Sequence, residues 1–322
     1  MPVTLEQAKL LTQDKVDLAV IDEFRDSPLL DLMVFDDSAT VPAGGTTFTY
    51  GYRRLKTPSG ASFRAINAEY PPTEATVEPH SVDLKVLGGA FQIDRVLAGV
   101  GSAASNAVAI QLDQKIKAVR NEFSDAVING DSGTNADSFD GLSKALAGTS
   151  TEIAPGTYDW SAALSDSTSW GIVEALDDIV GHLDGDPSVL IANKIVINKI
   201  KAALRRTNQY TSTTTALGQI RDTYGSLTLV PAGTVTDHTG TTKQIIPVTE
   251  GKTDVYVARL GLTGFHGVAA QGASLVKTYL PDFTRPGAVK TGEAELGPVA
   301  LALRATKAAA VARDVQIAPV TP

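Results

Sequence analysis

The sequence predicts an α+β fold in which one very long helix stands among extended strands instead of alternating with them. Three features predict it. A helical apolar stripe runs unbroken through residues 102–129, period-two alternation precedes it from Thr46, and a mixture of helices and short strands fills residues 150–270 before strands return over 271–322.

Residues 4–24 carry a helical pattern. Leu5, Ala8, Leu11, Val16, Ala19, Val20 and Phe24 recur mostly at three- and four-residue steps, with Thr4 as N-cap, Glu6 in the first turn and Pro28 as the stop. From Thr46 the period becomes two. Phe48, Tyr50 and Tyr52 alternate with Thr47, Thr49 and Gly51, residues 56–60 (KTPSG) make a turn, and Phe63 and Ala65 begin the return, which Pro71-Pro72 interrupts. A long two-stranded hairpin with so little apolar surface is marginal alone, so it is expected to lie against something else. Val82, Leu84 and Val86 alternate next, and Phe91, Ile93 and Val96 continue the extended segment after Gly88-Gly89.

The strongest signal follows. Val108, Leu112, Ile116, Val119, Phe123 and Ala126 fall at steps of 4, 4, 3, 4 and 3, with Asp113, Lys117, Arg120 and Asp125 off the stripe. That is one amphipathic helix of roughly 25 residues, about 38 Å long, which Gly130 terminates. Residues 170–183 read as a helix closed by Gly185-Asp186-Pro187, 189–192 as a buried strand, and 194–206 as a helix ending in basic residues. Residues 227–230, 244–248 and 255–259 read as short strands, and 211–225 as a mobile loop. Strands at 275–280, 298–306 and 307–317 close the chain.

Composition narrows the function classes. The chain has 322 residues, 43% hydrophobic and 20% charged, which is ordinary globular usage and suggests about two domains. Absence of cysteine removes disulfides and thiolate chemistry. No run of about 18 apolar residues offers a bilayer-spanning helix, and the N-terminus lacks the basic-then-apolar order of a secretory signal. A net charge of −8 argues against a protein dedicated to gripping phosphates, so the short basic clusters Arg53-Arg54-Lys56 and Arg205-Arg206 read as solvated or subunit-facing surface.

One stretch invites a catalytic reading. Gly130-Asp131-Ser132-Gly133 matches four residues around the nucleophile of chymotrypsin-like proteases. Thr134 follows where that family has a second glycine, His80 has none of the family's neighbours, and a 25-residue helix has no place in a double barrel of about twelve strands. Gly, Asp, Ser and Asn are what a helix-ending turn uses. His80, His182, His238 and His266 are isolated, apart from Asp184 near His182, and the loop at Gly99 and Gly101 lacks the further glycine or the Lys-Ser/Thr pair of a phosphate cradle. No catalytic, cofactor-binding or metal-ligating residue is assigned.

The order of elements carries more information than any single motif. "VDLKVLGGAFQIDRVLA" resembles the strand that leads into the spine helix of the major capsid proteins of tailed bacteriophages, the Hong Kong 97-like fold. "LDQKIKAVRNEFSDAVINGDSGTNADSFDGL" is similar to that helix with its glycine loop, "VLIANKIVINKIKAALR" to a strand–helix unit of the axial domain, and "DVYVARLGLTGFHGV" to a strand pair near that domain's end. "VALALRATKAAAVARDVQI" resembles the closing strands. The resemblance implies an N-terminal arm (1–45), an extended loop (46–80), a peripheral domain with the spine helix (81–149), an axial domain (150–270) and peripheral strands that return (271–322).

It further implies hexameric and pentameric capsomers tiling an icosahedral head that encloses double-stranded DNA in a virion, assembled in host cytoplasm. Portal and scaffolding proteins, and in some cases a cement protein, would be partners, with non-specific DNA contact and no membrane. The expected intersubunit residues are Arg25, Tyr50, Tyr52, Arg53, Arg54, Lys56 and Arg64 of the arm and loop, the tyrosines as apolar anchors and the loop's basic residues pairing with carboxylates next door. Asp282, Arg285 and Lys290, in the stretch 279–297 between the final strands, are expected where three capsomers meet. Some members join a loop lysine to a peripheral-domain asparagine. Lys56 is available, but no asparagine follows Asn208, so no such crosslink is expected. The chain starts at the arm, which implies a separate scaffolding protein or a form already processed, and the initiator Met1 argues against processing. An encapsulin-type nanocompartment shares the fold and is the alternative.

Overall fold

A computed structural model describes residues 29–39, 48–98, 102–214, 220–237, 239–270 and 275–318; the expected helix at 4–24, and Arg25 after it, lie outside them. In chain order the elements begin with α1 (Leu29–Leu32), β1 (Phe35–Ala39), β2 (Thr49–Thr57), β3 (Thr76–Asp83), β4 (Lys85–Asp94), α2 (Arg95–Ala98) and α3 (Ser102–Asn129). There follow α4 (Leu142–Leu146), β5 (Glu152–Ile153), α5 (Asp166–Gly181), β6 (Val189–Ala192), α6 (Lys194–Arg206), β7 (Thr211–Thr214), β8 (Ile220–Tyr224) and β9 (Leu227–Pro231). The chain closes with β10 (Thr234–Thr236), β11 (Thr242–Gln244), β12 (Lys252–Ala258), β13 (Phe265–Ala270), β14 (Val276–Tyr279), β15 (Val289–Leu303) and β16 (Ala309–Gln316).

The predicted long helix is present as α3, 28 residues in one piece. Its burial is graded. Val108, Leu112 and Ile116 are half-buried, whereas Val119, Phe123, Val127 and Ile128 are inside the main core. The stop works by close approach: a Cβ on Gly130 would stand 2.3 Å from the Phe139 carbonyl oxygen and 2.4 Å from that of Ala126. Only glycine lets the following loop fold back there, and Gly141 donates to the Gly130 carbonyl at 2.8 Å.

Two sheets flank this helix. In the five-stranded sheet β1, β13, β15 and β14 follow in order and β4 pairs with β15. The fifteen-residue β15 joins its parts: Val289 to Leu296 face β4 on one edge, Val276 to Tyr279 of β14 pair on the other, and after a bulge Val299 to Leu303 pair with β13. Its first half alternates exposed and buried. Its second half is continuously apolar because both faces are covered, Val299, Leu301 and Leu303 by the α3 core and Ala300 and Ala302 by the hairpin root.

The seven-stranded sheet has the order β5-β16-β12-β6-β9-β8-β7. Val189, Ile191, Tyr256 and Val311 face the α3 core, while Leu190, Ala192, Val255, Val257, Ala310 and Ala312 face α5 and α6. Both helices are capped by side chains. Asn193 accepts from the Ile195 N–H at 3.0 Å, and Ser165 and Thr168 form a reciprocal capping box. Arg313 binds the sheet to the segment before it, with Nε on Glu152 and Nη1 on Asp254, both at 2.9 Å, and Nη2 on the Ser143 carbonyl at 2.8 Å.

Several expected boundaries are corrected. The return arm of the hairpin begins at Thr76, not at Phe63. Val96 belongs to α2, and only Thr242–Gln244 of the stretch around 244–248 is a strand. Within 211–225, expected as a loop, β7 and β8 pair as a hairpin. The stretch 279–297 is not one loop: from Val289 it is β15. Last, β13 lies in the sheet of β4 and β15, and β16 lies between β5 and β12. Long-range pairing decides this, and local periodicity does not report it.

Candidate subunit interface

The hairpin divides into a fastened root and a bare tip. Strands β2 and β3 pair from Thr49↔Asp83 to Thr57↔Thr76. At the root, Tyr50 and Tyr52 are buried on the chain's own sheet with Leu84, Val268, Ala270, Ala300 and Ala302. The Tyr50 hydroxyl donates to Asp36 at 2.9 Å. Arg54 Nε donates to the Leu303 carbonyl at 2.9 Å, its guanidinium lies 5.6 Å from the Tyr52 ring centroid, and His80 stacks on Tyr52 at 5.7 Å.

Beyond the root no described residue covers the chain. Residues 55–79, 25 in succession, are all exposed. Phe63 is 105% and Ile66 92% exposed, with Leu55, Tyr70 and Val77 also largely open. The internal ties of the tip are few: Thr73 Oγ1 donates to the Gly60 carbonyl at 2.8 Å, and Arg64 donates to the Ala68 carbonyl at 3.2 Å while lying over Tyr70. Lys56 and Glu78 face each other at 4.0 Å. So many large apolar side chains exposed in one stretch point to a surface that another surface covers.

These positions divide the expected contact set into internal and exposed residues. Tyr50 and Tyr52 are internal and fasten the hairpin to its own chain. Arg54 is likewise committed to Leu303. Lys290 is buried, its ammonium donating to the carbonyls of Arg285 and Pro286. Arg53, Lys56, Arg64, Asp282 and Arg285 are exposed, Asp282 and Arg285 pairing at 3.1 Å. Arg25 lies outside the described residues. Absent from the expected set were Phe63, Ile66 and Tyr70, which the sequence marks as large apolar residues in a stretch flanked by turns and prolines. A second stretch of exposed apolar residues lies at 279–289, with Tyr279, Leu280, Phe283 and Val289 open.

The four-residue protease match is a turn. Asp131 accepts from the Gly133 N–H and the Thr134 hydroxyl, both at 2.8 Å, and Asp140 accepts from the Ser132 N–H at 2.8 Å. Lys144 Nζ comes within 3.4 Å of Ser132 Oγ, but Asp131 and Asp140 both bind that ammonium and raise its pKa, which keeps it protonated and unfit as a base. His182 bonds the Asp178 carbonyl at 2.9 Å. Among the described residues there is no group of three His, Cys, Asp or Glu able to hold a metal ion, and no helix long and apolar enough to cross a membrane.

No family model matches the chain, and no curated protein sequence matches it. Solved structures do. The holo-SrpI encapsulin complex from Synechococcus elongatus is similar at a TM-score of 0.63 and 15% identity, covering 100% of this chain and 99% of that one. A chain of Mycobacterium phage Bobi has a TM-score of 0.60 at 13% identity, over 97% of this chain and 99% of that one. The capsid of Myoviridae phage XM1 has a TM-score of 0.58 at 13% identity, over 94% of this chain and 97% of that one. At such identities the likeness is one of fold, and it extends over nearly the whole length.

Proposed function

Starting from a chain that has the Hong Kong 97-like capsid fold, we propose that it is the major capsid protein of a tailed bacteriophage, assembling as hexamers and pentamers into the head shell around double-stranded DNA. The observation that carries this reading is the hairpin tip: 25 consecutive exposed residues bearing Phe63 and Ile66, on a fold shared with shell-forming proteins. A projecting hairpin that gains its burial on the next copy links subunits around a ring. Arg53, Lys56 and Arg64, all exposed, would pair with carboxylates next door, and the exposed apolar residues of 279–289, with Asp282 and Arg285, would serve contacts between capsomers.

The role is structural, not catalytic. The arm (1–45), the loop (46–80), a peripheral unit built on α3 and the five-stranded sheet, and an axial unit built on the seven-stranded sheet are its working parts. Portal and scaffolding proteins are its partners in assembly, and without crosslinks the shell holds by packing, by charge or by a separate cement protein. With a net charge of −8 per copy, contact with packaged DNA is non-specific and limited to a few basic residues. The likeness to the encapsulin complex supports a second reading, a nanocompartment shell with protein cargo. Negative-stain microscopy of the purified protein tests both. Closed particles of uniform diameter are expected. Nuclease-protected DNA in particles from the native source identifies a head, co-purifying protein cargo identifies a compartment, and a monomer at every concentration refutes both.

A further inference from the structure

The hairpin root is fastened over a histidine. His266, on β13, is 0% exposed, and neither ring nitrogen has a hydrogen-bond partner among the described residues. Tyr50 meets the imidazole edge-on, with ring centroids 6.1 Å apart, and hands its hydroxyl to Asp36. The layer over the sheet here is the root itself, Tyr50 and Tyr52 with Leu84, resting on Val268, Ala270, Ala300 and Ala302. The titratable and charged groups around the ring are Asp36 on β1, Tyr50 and Tyr52 on β2, and Arg304 just past β15, with Arg54 and His80 beyond Tyr52.

A buried imidazole shut off from solvent is held neutral, because water that would solvate the imidazolium is excluded. Burial therefore pushes the His266 pKa down. Arg304 pushes the same way, and the upward pulls of the Gly264 backbone and the Asp36 carboxylate do not offset it. Lifting the root admits water and restores the ordinary value near pH 6.5.

We propose that His266 is an acid-released latch: the hairpin root stays docked on β13 and β15 while the ring is neutral and lifts when the ring takes a proton. The sign follows from linkage. The docked form has the lower pKa, so the lifted form binds more protons between the two values. Docking is unaffected above about pH 6.5 and weakens below it, by up to about tenfold per pH unit until the docked value is reached. The latch is internal to one copy and holds whether or not the chain forms a shell. It makes the attachment of the hairpin, and through it the reach of the exposed tip, responsive to acid.

Hydrogen exchange followed by mass spectrometry tests it on the dilute full-length chain between pH 7.5 and 4.5, with rates corrected for the intrinsic pH dependence of exchange. In the wild type, peptides spanning residues 49–57 and 76–84 should lose protection by up to about tenfold per unit below pH 6.5, while β6 and β12 hold theirs. In His266→Leu and His266→Gln, which remove the titrating group by an apolar and a polar route, root protection should be independent of pH over the same range. Where one of the two does not fold, the other gives the comparison. The proposal is overturned if the acid loss persists in a folded variant, if the wild-type root shows none, or if β6 and β12 lose protection in step with the root.

Discussion

Replacing the two most exposed apolar residues of the hairpin, Phe63→Ser with Ile66→Ser, separates folding from assembly. Both side chains stand free in the single chain, 105% and 92% exposed, so their removal takes almost nothing from the fold: within about 0.5 kcal/mol each. If each is covered by a neighbouring copy, covering it contributes about 1.5–3 kcal/mol, or about 4 kcal/mol for the pair per contact. That raises the concentration needed for assembly by about a thousandfold. Light scattering against protein concentration measures the assembly threshold, and thermal melting of the unassembled chain measures the fold. The expected pattern is an unchanged melting temperature with a threshold shifted by about three decades. An unchanged threshold would refute the reasoning, and so would a large loss of thermal stability, since it would place these residues in a core of the same chain.

The root should behave in the opposite way: Tyr52→Ala removes a buried aromatic and should cost about 3 kcal/mol or more in denaturant unfolding of the single chain. Phe123→Ala, at the centre of the α3 core, should cost a similar amount in the same measurement. Arg313→Met leaves Glu152 and Asp254 without their cation and should cost about 3 kcal/mol. Glu152 is held below the ordinary carboxylate range, first by the Gly148 N–H and then by Arg313, so its contribution is present above its unfolded pKa and lost as pH falls; the variant should show a shallower loss in acid. Boiled particles on a denaturing gel should run as one band near 33.7 kDa, since no asparagine after Asn208 is available as crosslink acceptor; a ladder would contradict that.

Much of the fold was legible, and the reason differs by element. Residues 189–192 and 194–206 form β6 and α6 as expected, because a four-residue apolar run buried on both faces and an Asn-capped amphipathic stretch are local signals. The long helix was equally plain, and only its graded burial was hidden. The hairpin was half legible. Alternation gave the strand at Tyr50 and Tyr52, but period two says which face is apolar and not whose surface covers it. The same alternation at Phe63 and Ala65 suggested a strand where no layer exists to bury one. The first half of β15, with its glycine and two glutamates, gave no strand signal; pairing with β4 and β14 creates it. The latch residue His266 gave none either, because its burial depends on a hairpin more than two hundred residues earlier in the chain.

A density map of assembled particles addresses the main claim most directly. It should show a closed shell in which Phe63 and Ile66 of each copy lie against the next copy, while Tyr50 and Tyr52 remain on their own sheet. Particles in which the tip stays in solvent, or a preparation that yields no closed shell at any concentration, would contradict it.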